Sequence, residues 1–472
     1  MSLSAPLLVR ERPALVAIVL AQLSSLLYGG VVFGWASLQP MLVRAGAYAA
    51  LCEDDDGSDL CPAQADRLGA VYSLSVAALT LASWPLGALL DSAPRALMVL
   101  AGALCTVSLA LFAAFPRLGD GLLFVAGPLL GVGGMGFFFI GVASARLAPS
   151  RHAQTLLIVA NCLFSSSPVV FLALDPVVIA LGSDDVAAFT SVMAAYAGFT
   201  ALFTLALALA WPRADDASEL RVAIDANAGD DADSADAALL GSKDDAARGA
   251  ARHFWARDKP LREYAFAEQA RTLEFVIIIA WSCLCMLRSF FYLGMIDDWC
   301  DAIGDASGLG VGTTRTAIVG IVVAGAVWVP FVAALFRRLG LAAGAHACNA
   351  LSLASALTTA APSLAAQLVG AVFYAVFRGA FFGAITIFCD RVFGARTLGR
   401  TVGTVYTAGA IPALLSLPLL AWGESGAAGG WTAVNALQVL LALPMGGLVF
   451  ALHHWSTEPV LALGTGANVN EV

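Results

Sequence analysis

Charged residues are scarce in this sequence, since Lys, Arg, Asp and Glu make up only 12% of its 472 residues. An ordinary soluble domain contains about 25%. Hydrophobic residues make up 60%, and the mean hydropathy is +0.83. This composition excludes a soluble globular enzyme, a disordered protein and a disulfide-rich secreted module. It is typical of a protein that crosses a lipid bilayer many times.

Metal-binding patterns are also missing. The sequence has five His and nine Cys residues, without a CxxC pair or a His/Cys cluster of the kind that binds zinc. It lacks a nucleophile–base pair or a phosphate-cradling motif in a context that supports catalysis. A net charge of −9 argues against nucleic acid as a partner. We therefore expect no enzymatic activity, no metal, no cofactor and no nucleic acid partner.

Long apolar runs account for most of the chain. Each is near the ~20 residues that a helix needs to cross the hydrocarbon core, and a helix satisfies its own backbone hydrogen bonds there. The six runs of the first half are 13–38, 67–90, 95–115, 120–146, 152–174 and 186–212. The six runs of the second half are 273–296, 312–336, 341–361, 364–389, 398–422 and 431–455. The sequence thus predicts an all-α polytopic membrane protein with twelve transmembrane helices.

The charges concentrate between the two halves. Residues 213–274 contain 9 basic and 14 acidic residues, together 23 of the 59 charges in the chain. The part rich in Asp and Ala, 214–247, predicts a disordered linker. The part with basic and aromatic residues, 248–271, predicts an interfacial helix leading into the seventh span. Six spans, a loop and six spans are typical of the major facilitator fold, in which two six-helix bundles face a central cavity.

The distribution of Arg and Lys predicts the orientation in the membrane. With a cytoplasmic N-terminus, and leaving the central loop aside, ten arginines lie in inner segments and four in outer loops. We therefore expect both termini in the cytoplasm, and the plasma membrane rather than an organelle. The predicted parts are a cytoplasmic N-terminus (1–12), an N-terminal bundle (13–212), an acidic and largely disordered cytoplasmic loop (213–272), a C-terminal bundle (273–456) and a cytoplasmic tail (457–472).

The loop between the second and third spans contains Gly87, Asp91 and Arg95. Their spacing and position resemble the signature motif of major facilitator transporters, although Ser92 and Pro94 depart from its usual residues. A glycine allows helices to approach closely, and an aspartate can cap the next helix or pair with a basic residue. The motif predicts a gating role rather than substrate binding.

Two arginines lie inside apolar runs, Arg288 in the seventh and Arg378 in the tenth. A charge within the membrane is costly, so a functional role is the first hypothesis. The alternative is a structural role, with each guanidinium bound to backbone carbonyls. Most polar groups in spans stabilise helix packing, but four more are candidates for contacts with a substrate: Tyr28, Asn161, Tyr292 and Tyr374.

Acidic residues are absent from the middle of every apolar run. Proton-coupled carriers usually need a titratable group at depth, so the sequence favours facilitated diffusion without ion coupling. The two arginines then have no carboxylate partner from the protein. A substrate that brings its own carboxylate would complete the charge balance.

Cys52 and Cys61 flank the acidic stretch EDDDGSDL in the first outer loop. If this loop lies outside the cell, the two cysteines are able to form a disulfide. Two free thiols are the alternative.

Four stretches resemble the sodium-independent large neutral amino acid transporters of solute carrier family forty-three. They are residues 28–38, the cysteine pair followed by Gln64, the Leu-Arg-x-x-Phe-Tyr-x-Gly pattern at 287–294, and residues 392–403. The resemblance implies uniport of branched or aromatic amino acids, and one branch of the family carries purine nucleobases. Asp297 and Asp298 stand where the family tends to have Asn, which leaves the substrate open.

The residues and the resemblance together predict a monomeric, ion-independent carrier of large neutral amino acids that works by alternating access. Arg288 or Arg378 would bind the substrate carboxylate, and aromatic faces such as that of Tyr28 would contact the ammonium group. The alternatives are a nucleobase or organic-anion carrier on the same fold, or a membrane sensor that transports nothing and binds partners through its central loop.

Overall fold

The computed structural model describes residues 5–52, 61–181, 185–212, 259–304 and 308–456. Throughout these residues the regular structure is helical. Large apolar side chains point outward from many helices, and Leu209 and Leu443 are 76% and 73% exposed. Such a surface is unfavourable in water and suits the hydrocarbon core of a bilayer.

The helices that precede the central loop, α1 to α8, are Ala5–Ser24, Trp35–Arg44, Pro62–Ser92, Pro94–Leu118, Leu123–Ala143, Ser150–Ser166, Val169–Leu181 and Asp185–Ala210. The short α9 is Phe266–Gln269. The helices that follow, α10 to α17, are Leu273–Ile303, Val311–Val323, Val329–Thr359, Leu364–Phe388, Leu398–Ala408, Ala410–Ser425, Gly430–Leu440 and Ala442–Trp455. Several neighbouring helices form one membrane crossing together.

Ten helical segments in the described part of the chain are long and apolar enough to cross a membrane, or eleven with the bent first pair. The longest, Val311–Thr359, has 49 residues and would be about 74 Å long if straight. That is more than twice the ~30 Å hydrocarbon core. Its backbone leaves helical geometry at Gly340, where φ is 75°. This segment therefore holds two crossings, which correspond to the apolar runs 312–336 and 341–361.

The first span is broken, whereas the run 13–38 predicts one continuous helix. Between α1 and α2 the chain forms a π-helical turn at Ser25–Gly29 and a 3-10 turn at Val31–Gly34, and the two halves are bent by 41°. The break falls at adjacent glycines. A Cβ atom on Gly30 would lie 2.5 Å from the carbonyl oxygen of Phe164, so the missing side chain permits a close backbone approach that a regular helix of larger residues would block.

The described residues form two compact units. One unit contains residues 5–148 and 159–212, and the other contains residues 149–158 and 259–456. The division differs from the predicted bundle boundaries at one place, because the first half of α6 groups with the second unit. Each unit contains its own buried aromatic residues.

The segment before the seventh span is a packed turn, so the interfacial helix predicted for 248–271 is wrong for the residues that the structure describes. The predicted disordered linker lies outside the described residues. From residue 259 the chain forms a 3-10 turn at Leu261–Glu263, then α9, then α10. Pro260 contributes to the difference, because proline disfavours helical geometry in the residue before it.

Gln269 holds this turn against the second unit. Its side chain is fully buried, and its amide nitrogen donates to the carbonyl oxygens of Leu261 and Phe393, both at 2.9 Å. Its Oε1 accepts a hydrogen bond from the Thr397 hydroxyl at 2.9 Å. The end of the central loop is therefore attached to the segment between α13 and α14.

We expect Gln269→Met to lower the unfolding temperature of the detergent-solubilised protein. The change leaves buried carbonyls without their donor, and each unsatisfied buried group costs about 1–3 kcal/mol. Thermal unfolding followed by tryptophan fluorescence measures the effect, with the half-buried Gln39→Met on α2 as the control. Equal melting temperatures for the wild type and both variants would contradict this role of Gln269.

Candidate functional site

The second unit contains a small cavity between α10, α12, α13 and α16. Its lining combines apolar and polar side chains. Phe291, Met295 and Phe377 are among the apolar residues, and Arg288 is the charged one within the described lining. A mostly apolar cavity with a few converging polar groups is the usual form of a small-molecule site.

Polar residues recur at helical spacing on two of these helices. Ser352, Ser355 and Thr359 follow one face of α12, and Asn435 and Gln438 share a face of α16, because residues three or four apart are neighbours on a helix. All five are more than nine-tenths buried. They are not among the candidates predicted from the sequence, although their spacing was visible there. Polar residues within spans usually serve helix packing, so spacing alone did not distinguish them.

Five buried polar atoms of this lining have no hydrogen-bonding partner among the described residues. They are the Tyr292 hydroxyl, Ser352 Oγ, Thr359 Oγ1, Asn435 Nδ2 and Gln438 Nε2. Buried polar groups in proteins are nearly always hydrogen-bonded, and an unpaired one costs about 1–3 kcal/mol. Their convergence on one cavity indicates a site for a molecule with several hydrogen-bonding groups.

Arg288 has both a structural contact and a place in the cavity. Arg288 is 5% exposed, and its guanidinium donates from Nη2 to the Ser352 carbonyl oxygen at 2.8 Å, with Nη1 3.5 Å from Met445 Sδ. Trp299 forms a second link of the same kind, from Nε1 to the Thr359 carbonyl oxygen at 2.9 Å. These two bonds attach α10 to α12 at both ends of the polar face. A guanidinium has five N–H groups, so donors remain for a ligand.

Tyr292 and Tyr374 lie against each other in the lining. Their ring centroids are 4.0 Å apart and the rings are nearly parallel, at 20°. The Tyr374 hydroxyl bonds to Ser289 Oγ at 2.8 Å and donates to the Ser289 carbonyl oxygen at 3.1 Å. Tyr374 is therefore held in place by α10, while the Tyr292 hydroxyl has no such partner among the described residues.

The other three predicted contact residues do not line this cavity. Arg378 follows Tyr374 by one turn of α13, is 6% exposed, and hydrogen-bonds the tyrosine. Tyr28 and Asn161 belong to the first unit and are fully or almost fully buried there. Of the six candidates from the sequence, the cavity thus brings together Arg288, Tyr292 and Tyr374.

Tyr28 packs inside the aromatic core of the first unit. Its ring stacks on those of Phe137 and Tyr196, with centroid distances of 4.7 Å and 5.7 Å. This arrangement fixes the broken part of the first span against α5 and α8. A substrate contact for Tyr28 or Asn161 remains a prediction.

The motif after the second span connects several helices of the first unit. The Asp91 carboxylate accepts a hydrogen bond from Arg146 Nη2 at 3.2 Å, and the Asp91 side chain is only 4% exposed. Arg95 donates to the carbonyl oxygen of Trp211, just after α8. Gly87 is buried one turn before Asp91. The contacts hold helix ends together, and the gating role stays a prediction.

A disulfide and a hydrogen bond hold the chain near Cys52 and Cys61. The structure joins these two cysteines in a disulfide, with Cα atoms 5.8 Å apart, which is within the usual range. Gln64 donates to the Ala47 carbonyl oxygen at 2.6 Å. The connection ties the start of α3 to the turn that follows α2.

The described lining of the cavity contains no carboxylate side chain. Glu274 is 3% exposed, but it lies in the first turn of α10 and accepts a hydrogen bond from Ser456 Oγ at 3.0 Å. Over the described ranges, no group of three or more His, Cys, Asp or Glu side chains is placed to hold a metal ion. The chemistry available in the cavity is therefore hydrogen bonding, one positive charge and aromatic contact.

No protein-family profile matches the chain. Two curated relatives are similar over part of it. The equilibrative nucleobase transporter 1 of Bos taurus is 31% identical over 172 residues, which cover 34% of this chain and 35% of that protein. Protein FMP42 of Saccharomyces cerevisiae is 30% identical over 156 residues, which cover 30% and 29%. The chain thus spans about a third of the length of these relatives, and neither is named as an amino acid transporter.

Solved structures match nearly the whole chain. The E. coli fucose:proton symporter FucP aligns with a TM-score of 0.58 and 16% identity, over 94% of this chain and 98% of that one. The human organic anion transporter MFSD10 (TETRAN) aligns with a TM-score of 0.58 and 15% identity, over 93% and 99%. At such identities the match shows the fold. The chain has the major facilitator fold, which confirms the predicted all-α polytopic class, and the named transporters agree with the prediction that it is not an enzyme.

Proposed function

We propose that this protein is a membrane transporter of small neutral heterocycles, nucleobases in particular, working by alternating access. Two findings support transport: the major facilitator fold and the partial similarity to a protein named as an equilibrative nucleobase transporter. In this fold the two halves rock around a site near the middle of the membrane.

The observation that carries the choice of substrate is the chemistry of the cavity lining. Five buried, unpaired polar atoms come from uncharged side chains, and the described lining includes no carboxylate. An amino acid brings an ammonium group, and burying a charge without an opposite charge or several acceptors is expensive. A neutral ring with carbonyl and N–H groups fits the same lining without that cost.

The aromatic side chains of the lining support a planar ring system. Phe291 and Phe377 add apolar aromatic surface, on which a planar base is able to pack. We expect a free base to fit better than a nucleoside, whose sugar adds bulk.

A large neutral amino acid remains the second candidate because Arg288 lines the cavity. Its guanidinium would bind a substrate carboxylate as a bidentate pair. The ammonium group would then depend on the hydroxyls of Tyr292, Ser352 and Thr359. For either substrate we keep the proposal of uniport, because the described lining offers no carboxylate to take up a proton or a sodium ion.

Uptake into proteoliposomes tests the proposal. We expect labelled hypoxanthine or uracil to equilibrate across the membrane at the same rate with and without imposed proton or sodium gradients. Labelled leucine and phenylalanine, measured in parallel, should enter much more slowly. Liposomes without protein provide the background. Rapid leucine uptake with no uptake of bases would reverse the order of the two candidates, and accumulation only under a gradient would contradict uniport.

A further inference from the structure

Buried amide side chains in the second unit fall into two groups. Asn349 donates to the Met445 carbonyl oxygen at 3.1 Å and accepts a hydrogen bond from Trp281 at 2.9 Å. Gln269 and Gln367 likewise donate to backbone carbonyls. The amide nitrogens of Asn435 and Gln438 have no acceptor among the described residues, although both side chains are at least 95% buried.

The position of this second group suggests a ligand rather than a role in packing. Both residues lie on one face of α16, three positions apart, and both line the cavity that contains Arg288. Amides that stabilise a helix pair are bonded to the neighbouring helix, as Asn349 is to Met445 of α17 and Gln367 is to Thr359, the last residue of α12. The two amides of α16 instead belong to residues that line one cavity, and their nitrogens have no acceptor among the described residues.

The hydrogen-bonding capacity of the lining favours donors. Asn435 Nδ2 and Gln438 Nε2 each carry two N–H groups, and the Arg288 guanidinium can only donate. The unpaired hydroxyls of Tyr292, Ser352 and Thr359 can donate or accept. A ligand that satisfies this set must supply acceptors, such as carbonyl oxygens and unprotonated ring nitrogens.

We propose that Asn435 and Gln438 are the specificity-determining residues of the site, and that they select heterocycles with ring carbonyl groups over analogues without them. This inference rests on the proposed function and narrows it to oxo-substituted bases. A site built to hydrogen-bond a polar group rejects the analogue that lacks it, because the buried donors of the protein are then left unpaired. The amides donate to the oxo oxygen and, in a purine, to the unprotonated ring nitrogen N7, and Arg288 adds a charged donor beside them.

The test compares hypoxanthine with purine, which has the same ring system without the oxo group. Each compound competes against labelled hypoxanthine for uptake into proteoliposomes, and each is also tested for binding to the purified protein by quenching of tryptophan fluorescence. For the wild type we expect purine to bind and compete roughly tenfold or more weakly. We expect Gln438→Met and Asn435→Leu, which keep the side-chain volume but remove the donors, to weaken the binding of hypoxanthine. The ratio of the affinities for hypoxanthine and purine should then approach one.

Two further measurements separate recognition from stability. Because the amide nitrogens make no hydrogen bond to described residues, Gln438→Met should not lower the unfolding temperature, whereas a packing role would lower it and leave the ratio unchanged. Ser416→Ala is the control, since Ser416 is buried but bonds to Ala413 within its own helix and does not line the cavity. It should keep the wild-type ratio.

The outcomes distinguish this inference from the proposed function. A wild type that carries hypoxanthine and purine equally well, with no change in either amide variant, would overturn the role of the amides while the transport of bases stands. A wild type that neither binds nor carries any base would overturn both. Amide variants that lose stability and keep the wild-type ratio would assign the two residues to packing.

Discussion

Replacing Arg288 with methionine should reduce the uptake of labelled hypoxanthine by roughly 10- to 100-fold, on the scale of the ~1.5–3 kcal/mol that a hydrogen bond to a charged group contributes. Arg288 is 5% exposed and lines the cavity, and its guanidinium donates to the Ser352 carbonyl oxygen at 2.8 Å. Its removal takes away the charged donor that we propose for the ligand. It also loosens the polar face of α12 that the cavity depends on.

Comparison variants separate these two effects. Arg288→Lys keeps the positive charge but lacks the planar fork that reaches two acceptors, so we expect a partial loss. Arg117→Met removes an exposed arginine in the first unit and should leave uptake unchanged. Initial rates at several substrate concentrations, together with melting temperatures, show whether transport or folding has changed. Normal uptake by a stably folded Arg288→Met protein would contradict a role for Arg288 in transport.

Gly134→Ala should produce the largest loss of folded protein among single-methyl changes in the first unit. A Cβ atom at this position would collide with the carbonyl oxygen of Tyr28 and lie 2.9 Å from that of Gly29. Both obstacles are backbone atoms at the break of the first span, so neither can move aside as a flexible side chain can. Overpacking of a tight interface costs about 1–3 kcal/mol, and occasionally more.

Gly198→Ala is the matched control for this prediction. Gly198 lies within α8, and a Cβ there meets nothing within 4 Å, so the substitution should stabilise the helix by about 0.5–1 kcal/mol. Size-exclusion chromatography with fluorescence detection gives the folded yield of both variants, and thermal unfolding gives their relative stability. If Gly134→Ala and Gly198→Ala both behave like the wild type, the close contact between α5 and the broken first span is not essential.

The sequence alone determined the fold class. Scarce charge and long apolar runs require helices in a membrane, because backbone groups in lipid must be satisfied within the segment. It also identified Arg288, since a charge inside an apolar run is rare enough to stand out without any structure. The similarity to solved transporters confirms the fold. The orientation, the membrane and the coupling to ions remain predictions.

Only the tertiary structure decided which polar residues meet. In the sequence, Asn435, Gln438 and Asn349 are all polar residues within apolar runs, and nothing there distinguishes them. Their difference is that Asn349 finds partners on neighbouring helices, while the amide nitrogens of the other two find none among the described residues. Likewise, Arg288 and Arg378 look equivalent in the sequence, but only Arg288 lines the cavity. A hydropathy pattern depends on residues that are near each other in the chain. Whether a buried donor finds an acceptor depends on atoms from helices that are distant in the sequence. The packing of the helices therefore decides which residues form a site.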